Sequence, residues 1–204
     1  MKIYMLLAIS LIGGTAMAVE EPEFITLKKE GEFALREYAP VVVAQTTVEG
    51  AFEDVSNQGF RLLAGYIFGG NQGSKKISMT APVGVANTDG EKIKMTAPVG
   101  VEKSDSKSWR VTFTMPKGYT LETLPKPNDA RVILKQSPAQ KMAAFEYSGT
   151  WSKERYEERK LKLEKWIRDN QLKATGEAVF ARYDPPWIPW FLRRNEILIP
   201  VAGP

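Results

Sequence analysis

Ile77-Ser78-Met79-Thr80-Ala81-Pro82-Val83-Gly84-Val85 returns almost unchanged as Ile93-Lys94-Met95-Thr96-Ala97-Pro98-Val99-Gly100-Val101. In each copy Ile, Met, Ala, Val and Val share one face of an extended chain. Ser or Lys, Thr, Pro and Gly share the other. A period of two describes a half-buried strand. Ala86-Asn87-Thr88-Asp89-Gly90-Glu91-Lys92 lies between the copies, and its Asp-Gly step predicts a hairpin. The Pro at the centre of each copy points to edges or bulges of a curved sheet. The echo is therefore expected to form a sheet wall.

Upstream, residues 19–31 read as a polar, acidic lead-in. Phe33 to Tyr38 alternates as a strand, Ala39-Pro40 breaks it, and β-branched Val41 to Val48 forms a second, closed by Gly50. Phe52, Val55, Gly59, Leu62, Leu63, Tyr66 and Ile67 recur at helical spacing, and Gly69-Gly70-Asn71 ends that helix. Downstream, strands are predicted at Trp109–Met115, Arg131–Gln136, Lys141–Tyr147, Gly176–Tyr183 and Glu196–Val201. Ser152 is a predicted N-cap for a second helix running to about Asn170, with Tyr156, Leu163, Trp166 and Ile167 as its apolar stripe.

A second, weaker repeat follows from this order. Strand, Pro40, strand, Gly50, helix matches strand, Pro138, strand, Gly149, helix. A β-β-α-β-β unit thus occurs twice. Strands pairing as hairpins, with one helix per half, predict an α+β fold. Its expected form is a distorted antiparallel β-barrel with two flanking helices and pseudo-two-fold symmetry.

Composition narrows the function. Met1-Lys2, an apolar run from Ile3 to Ile12 and the small residues Ala16-Met17-Ala18 read as a signal peptide over 1–18. Residues 19–204 are then expected as a single domain in the periplasm or outside the cell. The apolar run is short of the about 20 residues a membrane span needs, so no integral membrane segment is expected after cleavage. There is no Cys and no His, which excludes thiol metal sites, a Cys nucleophile and a His general base. The net charge is +4, and the basic cluster at Arg155, Arg159, Lys160, Lys162 and Lys165 is interleaved with Glu154, Glu157, Glu158 and Glu164. That pattern is a solvated helix face rather than a nucleic-acid stripe.

The chain resembles the SOUL haem-binding protein family. The matching residues are Arg36-Glu37-Tyr38 before Pro40, Tyr66-Ile67-Phe68-Gly69-Gly70-Asn71, both Met-Thr-Ala-Pro-Val segments and Phe113-Thr114-Met115-Pro116. Arg182-Tyr183-Asp184-Pro185-Pro186-Trp187 through Arg193-Arg194-Asn195-Glu196 is the most specific match. The resemblance implies a barrel like the effector-binding domains of some multidrug-responsive regulators. It also implies non-covalent binding of haem or a related tetrapyrrole on an apolar surface that includes the first helix. Some members ligate iron through a His, which this chain lacks. Where a relative has an Arg on the first helix, this chain has Asn57 or Gly65. Ile188 stands in place of a Lys, and Phe60 in place of a Met.

The first helix carries the candidate binding residues. Gly59 and Gly65 each cost about 1 kcal/mol against Ala, and either lets a flat body, a porphyrin or the sheet itself, approach the backbone. Phe60, Leu63 and Ile67 are expected as exposed apolar contacts, Tyr66 as a possible iron ligand beside Tyr38, and Arg61, Lys75, Lys76 and Arg182 as the cations nearest to propionates. Met79 and Met95 sit on one face about 13 Å apart, too far to share an iron, and read as core filler. Trp187, Trp190 and Phe191 read either as a ligand lid or as a plug buried against the barrel end. The expected function is non-enzymatic tetrapyrrole transport, buffering or sequestration. A binder of another flat apolar ligand and a tetrapyrrole-processing enzyme are the alternatives.

Overall fold

The computed structural model describes residues 20–73, 90–105, 107–150, 152–185 and 187–203. The expected signal peptide, the first copy of the echo, most of the turn between the copies, Lys75 and Lys76 lie outside them.

The elements are β1 (Phe24–Glu30), β2 (Phe33–Tyr38), β3 (Val41–Glu49), α1 (Phe52–Ile67), β4 (Asn71–Gln72), β5 (Val99–Lys103), β6 (Ser108–Thr114) and β7 (Lys126–Pro127), followed by β8 (Ile133–Ser137), β9 (Gln140–Ser148), α2 (Lys153–Asp169), β10 (Lys173–Ala174), β11 (Val179–Arg182) and β12 (Arg194–Ala202). Nine strands form one curled antiparallel sheet in the order β1-β2-β9-β12-β11-β5-β6-β3-β8, and β10 adds to β12. It is an incomplete barrel with two helices on its convex face. Exchanging β2 with β8, β3 with β9, β5 with β11 and β6 with β12 reverses the order of the eight repeated strands onto itself. The expected pseudo-two-fold is built into the topology.

One expected pairing is different. β2 and β3, joined by Ala39-Pro40, do not pair with each other, and neither do β8 and β9 across Pro138. β2 pairs with β9 and β3 with β8, so each half lends a strand to the other. Pro fixes φ near −65° and cannot take the positive φ that a two-residue hairpin requires. The chain bends on instead of folding back.

Two further expectations change. Residues 24–30, taken as lead-in, form an edge strand on β2 with every residue exposed, so no apolar alternation marks it. Its lysines and a register shift between Thr26 and Lys28 protect that edge. In the second copy of the echo, the strand begins only at Val99, after Pro98, which has no N–H to donate. Thr96 is buried with its hydroxyl donating to the Thr114 carbonyl, whereas Met95 is 38% exposed. Met95 is therefore not core filler.

The helices seat as their stripes require. α2 buries Tyr156, Leu163, Trp166 and Ile167, and Ser152 accepts the Arg155 amide as its cap. On α1, Phe52, Val55, Leu63, Tyr66 and Ile67 enter the main core. A Cβ on Gly59 would lie 2.3 Å from a methyl of Val111, so this glycine sets how closely α1 lies on β6. No described residue comes within 4 Å of a Cβ placed on Gly65.

Candidate functional site

Residue alternation gives the sheet two faces. On the convex face Phe180, Phe145, Val111, Phe113 and Ile197 meet the helices. The neighbouring residues of the same strands point into the concavity. There the chain places Ala34, Ala144 and Ala181, with Tyr38, Met142 and Leu198. Gly100 lies opposite Ala181 on one side and Thr112 on the other. Small side chains across neighbouring strands leave room, and the result is a cleft of about 340 Å³.

Val41, Val43, Val179 and Leu198 make its walls. Lys135 is exposed at the rim, and Arg110 pairs with Glu102 at 2.5 Å. The Arg110 Nε is buried without a hydrogen-bond partner among the described residues.

A buried polar network closes one end. Glu196 accepts from Arg36 Nη1 at 2.8 Å, Arg36 Nη2 at 3.1 Å and the Tyr183 hydroxyl at 2.7 Å. Arg36 also donates to the Tyr38 hydroxyl at 3.2 Å. Burial opposes the charge on Arg36, but Glu196 outweighs it and holds the guanidinium above its usual pKa. Burial raises the Tyr38 and Tyr183 phenols, and the Glu196 carboxylate raises Tyr183 further. Both phenols therefore stay protonated at neutral pH. A second, polar cleft of about 620 Å³ lies beyond the network, but its charges alternate in sign, with Lys29, Arg159 and Lys162 against Glu21, Glu32 and Glu146.

The expected α1 contacts fall elsewhere. Leu63, Tyr66 and Ile67 are core residues, which corrects the expectation that Leu63 and Ile67 are exposed. A helix with one apolar stripe and a sheet beneath it buries that stripe. The Tyr66 hydroxyl donates to the Pro125 carbonyl at 3.0 Å. Phe60 is half-buried, edge-on to Phe113 at 5.4 Å, and Arg61 is exposed. The open part of α1 is the backbone at Gly65, flanked by Arg61 and by Phe68 just past the helix end. Arg182 turns to the helix side and donates to Ser56 at 3.0 Å. Among the described residues, no group of three His, Cys, Asp or Glu is placed to hold a metal ion. The concave residues escaped sequence reasoning because nothing in Gly100, Thr112 or Ala181 separates a cleft floor from an ordinary solvated strand face.

This curled sheet with paired helices is shared by solved structures of low sequence identity. The C-terminal domain of EcmrR has a TM-score of 0.61 at 15% identity, over 84% of this chain and 98% of that one. A structure named as a hydrolase from Listeria innocua has a TM-score of 0.55 at 10% identity, over 86% and 94%. An uncharacterised conserved protein from the same organism has a TM-score of 0.52 at 13% identity, over 91% and 94%. At these identities the likeness shows the fold alone. No curated protein matches significantly. The family profile described as SOUL heme-binding protein matches residues 19–86 and 83–200. The chain belongs to that family.

Proposed function

We propose that this protein binds haem or a related tetrapyrrole non-covalently in the concave cleft and transports, buffers or sequesters it without chemical change. We place it in the periplasm or outside the cell, on the reading of residues 1–18 as a signal peptide. The observation that carries the reading is the cleft of a haem-family fold. It has apolar walls, a floor of small residues, and the part-exposed Arg110 with exposed Lys135 at its rim. Such a site suits a flat apolar ring with carboxylates at its edge. Iron finds no strong ligand there. Tyr38 and Tyr183 are held protonated, and Met142 is a buried wall residue. The affinity then comes from the porphyrin plane and its carboxylates.

A second placement rests on one observation, the open backbone at Gly65 beside Arg61 and Phe68. Titration of haemin and of metal-free protoporphyrin, read by Soret absorbance and fluorescence quenching, tests both. Saturable binding of the two with similar affinity is expected. Ala181→Phe and Arg110→Gln should weaken it if the cleft is the site, and Gly65→Leu and Arg61→Gln if the helix is. No saturable binding at micromolar porphyrin would sink the tetrapyrrole reading and leave a binder of another flat apolar ligand. Free porphyrin appearing from haemin would establish a processing enzyme instead.

A further inference from the structure

The loop between β11 and β12 does not plug the barrel. Trp187 is 79% exposed, Leu192 64%, and Trp190 and Phe191 56% each. These four large apolar side chains fall within six residues, and no charged residue occurs from Pro185 to Leu192. The loop is nonetheless built. Ile188 donates to the Pro185 carbonyl at 3.1 Å, Leu192 to Pro189 at 2.9 Å and Arg193 to Trp190 at 3.3 Å. The Trp190 and Phe191 rings stand at 87° with centroids 5.6 Å apart. A hydrogen-bonded turn thus holds its aromatic residues in water, at a cost that contact with an apolar phase would recover.

The base of the loop is cationic. The Arg193 Nε donates to the Ile188 carbonyl at 2.7 Å, inside the turn. Arg182, which leads into it, is half-buried, and partial burial together with repulsion from Arg193 lowers its pKa. Behind them the Tyr147 ring carries Arg159 over its face at 4.3 Å, and its hydroxyl feels Arg159, Arg182 and Arg155. Arg194 pairs with Glu21 at 2.5 Å, its amide holds Asp184 at 2.6 Å, and Arg159 lies 3.9 Å from Glu158.

We propose that residues 187–192 are a peripheral membrane anchor that inserts into the interface of a bilayer bearing anionic headgroups, with Arg155 and Arg193 at headgroup level. Trp and Phe beside Leu form an amphipathic tip suited to that depth, and an arginine collar complements the lipid charge. Size favours lipid over a protein partner. The free surface of the four side chains is roughly 400–500 Å², against the about 800 Å² per partner of a standard protein interface. Among the described residues no helix is long and apolar enough to cross a membrane.

Flotation of the purified full-length protein with phosphatidylglycerol–phosphatidylcholine vesicles tests this. The wild type should float, and acyl-chain bromination should quench its tryptophan fluorescence. Trp187→Ser with Trp190→Ser should cut partitioning about tenfold or more without moving the melting temperature. Phe191→Ser with Leu192→Ser should do the same if the first variant folds poorly. Arg193→Gln should weaken binding about fivefold on anionic vesicles only. The N-terminus is common to all variants, so vesicle binding unchanged by both loop variants would overturn the proposal. So would wild-type protein that stays with the aqueous phase. A concentration-dependent dimer lost in Trp187→Ser, with no flotation, would also overturn it and assign the loop to a second copy.

Discussion

The two faces of the curled sheet are made by alternate residues of the same strands, yet they do opposite things. On the convex face the chain alternates into large aromatics. Phe52 lies 5.1 Å from Trp109, 5.2 Å from Tyr156 and 5.7 Å from Phe180, ring centroid to centroid, and Phe33 lies 4.8 Å from Phe145. One residue along, Phe180 gives way to Ala181 and Phe145 to Ala144. The convex face is covered by two helices and the concave face by none. Volume on one side makes a core, and its absence on the other makes a cleft. The difference teaches that the main core and the proposed binding surface lie on opposite faces of one sheet, although the concave side keeps a smaller buried cluster and the Arg36–Glu196 pair.

The sharpest test sets neighbours against each other. Phe180→Ala should cost about 3–5 kcal/mol in denaturant unfolding, whereas Ala181→Ser should cost under about 1 kcal/mol. Equal losses would break the comparison. Glu196→Gln comes next. It leaves the buried Arg36 guanidinium with only the half-exposed Glu146 carboxylate, 3.9 Å away, and a loss of about 3 kcal/mol is expected. A loss below about 1 kcal/mol would mean the Arg36–Glu196 pair contributes little to stability. Gly59→Ala should follow at about 1–3 kcal/mol, because its Cβ meets Val111 at 2.3 Å. Gly65→Ala should instead stabilise by about 1 kcal/mol, since no described residue lies above it. The smallest effect is at Tyr66→Phe, about 1 kcal/mol for the bond to Pro125.

Tyr66 also sets a pH signature. Burial pushes its phenol from 10.0 up to about 12, aided by the charge of Glu91. A raised folded-state value means the neutral phenol is favoured by folding. Its contribution is full below pH 10 and is lost as pH rises through about 12. Unfolding curves across that window should lose this part of their steepness in Tyr66→Phe.

Much of the scaffold was legible. The α2 stripe of Tyr156, Leu163, Trp166 and Ile167 and its Ser152 cap are local facts of spacing and hydrogen bonding. So is the α1 stripe. β1 was not legible because an all-exposed edge strand carries no alternation. Partner choice at Pro40 and Pro138 was missed because strand patterns state that a segment pairs, not with which strand. On α1, the spacing identified Leu63 and Ile67 as apolar without saying whether ligand or sheet would cover them. Gly59 and Gly65 look alike in sequence, and only the position of Val111 separates them. The aromatic loop was read as lid or plug, and its exposure became visible only with its surroundings.

The amino-acid order by itself determined the element types, the doubled β-β-α-β-β unit, and the absence of His and Cys that leaves iron without its usual ligands. These depend on periodicity, backbone propensity and side-chain chemistry, which act within a few residues. The tertiary structure alone decided that the halves exchange strands, that α1 spends its apolar stripe on the core, and that a cleft opens on the helix-free face. Those outcomes depend on which distant surfaces meet, because burial and electrostatics are properties of the assembled neighbourhood rather than of any stretch of chain.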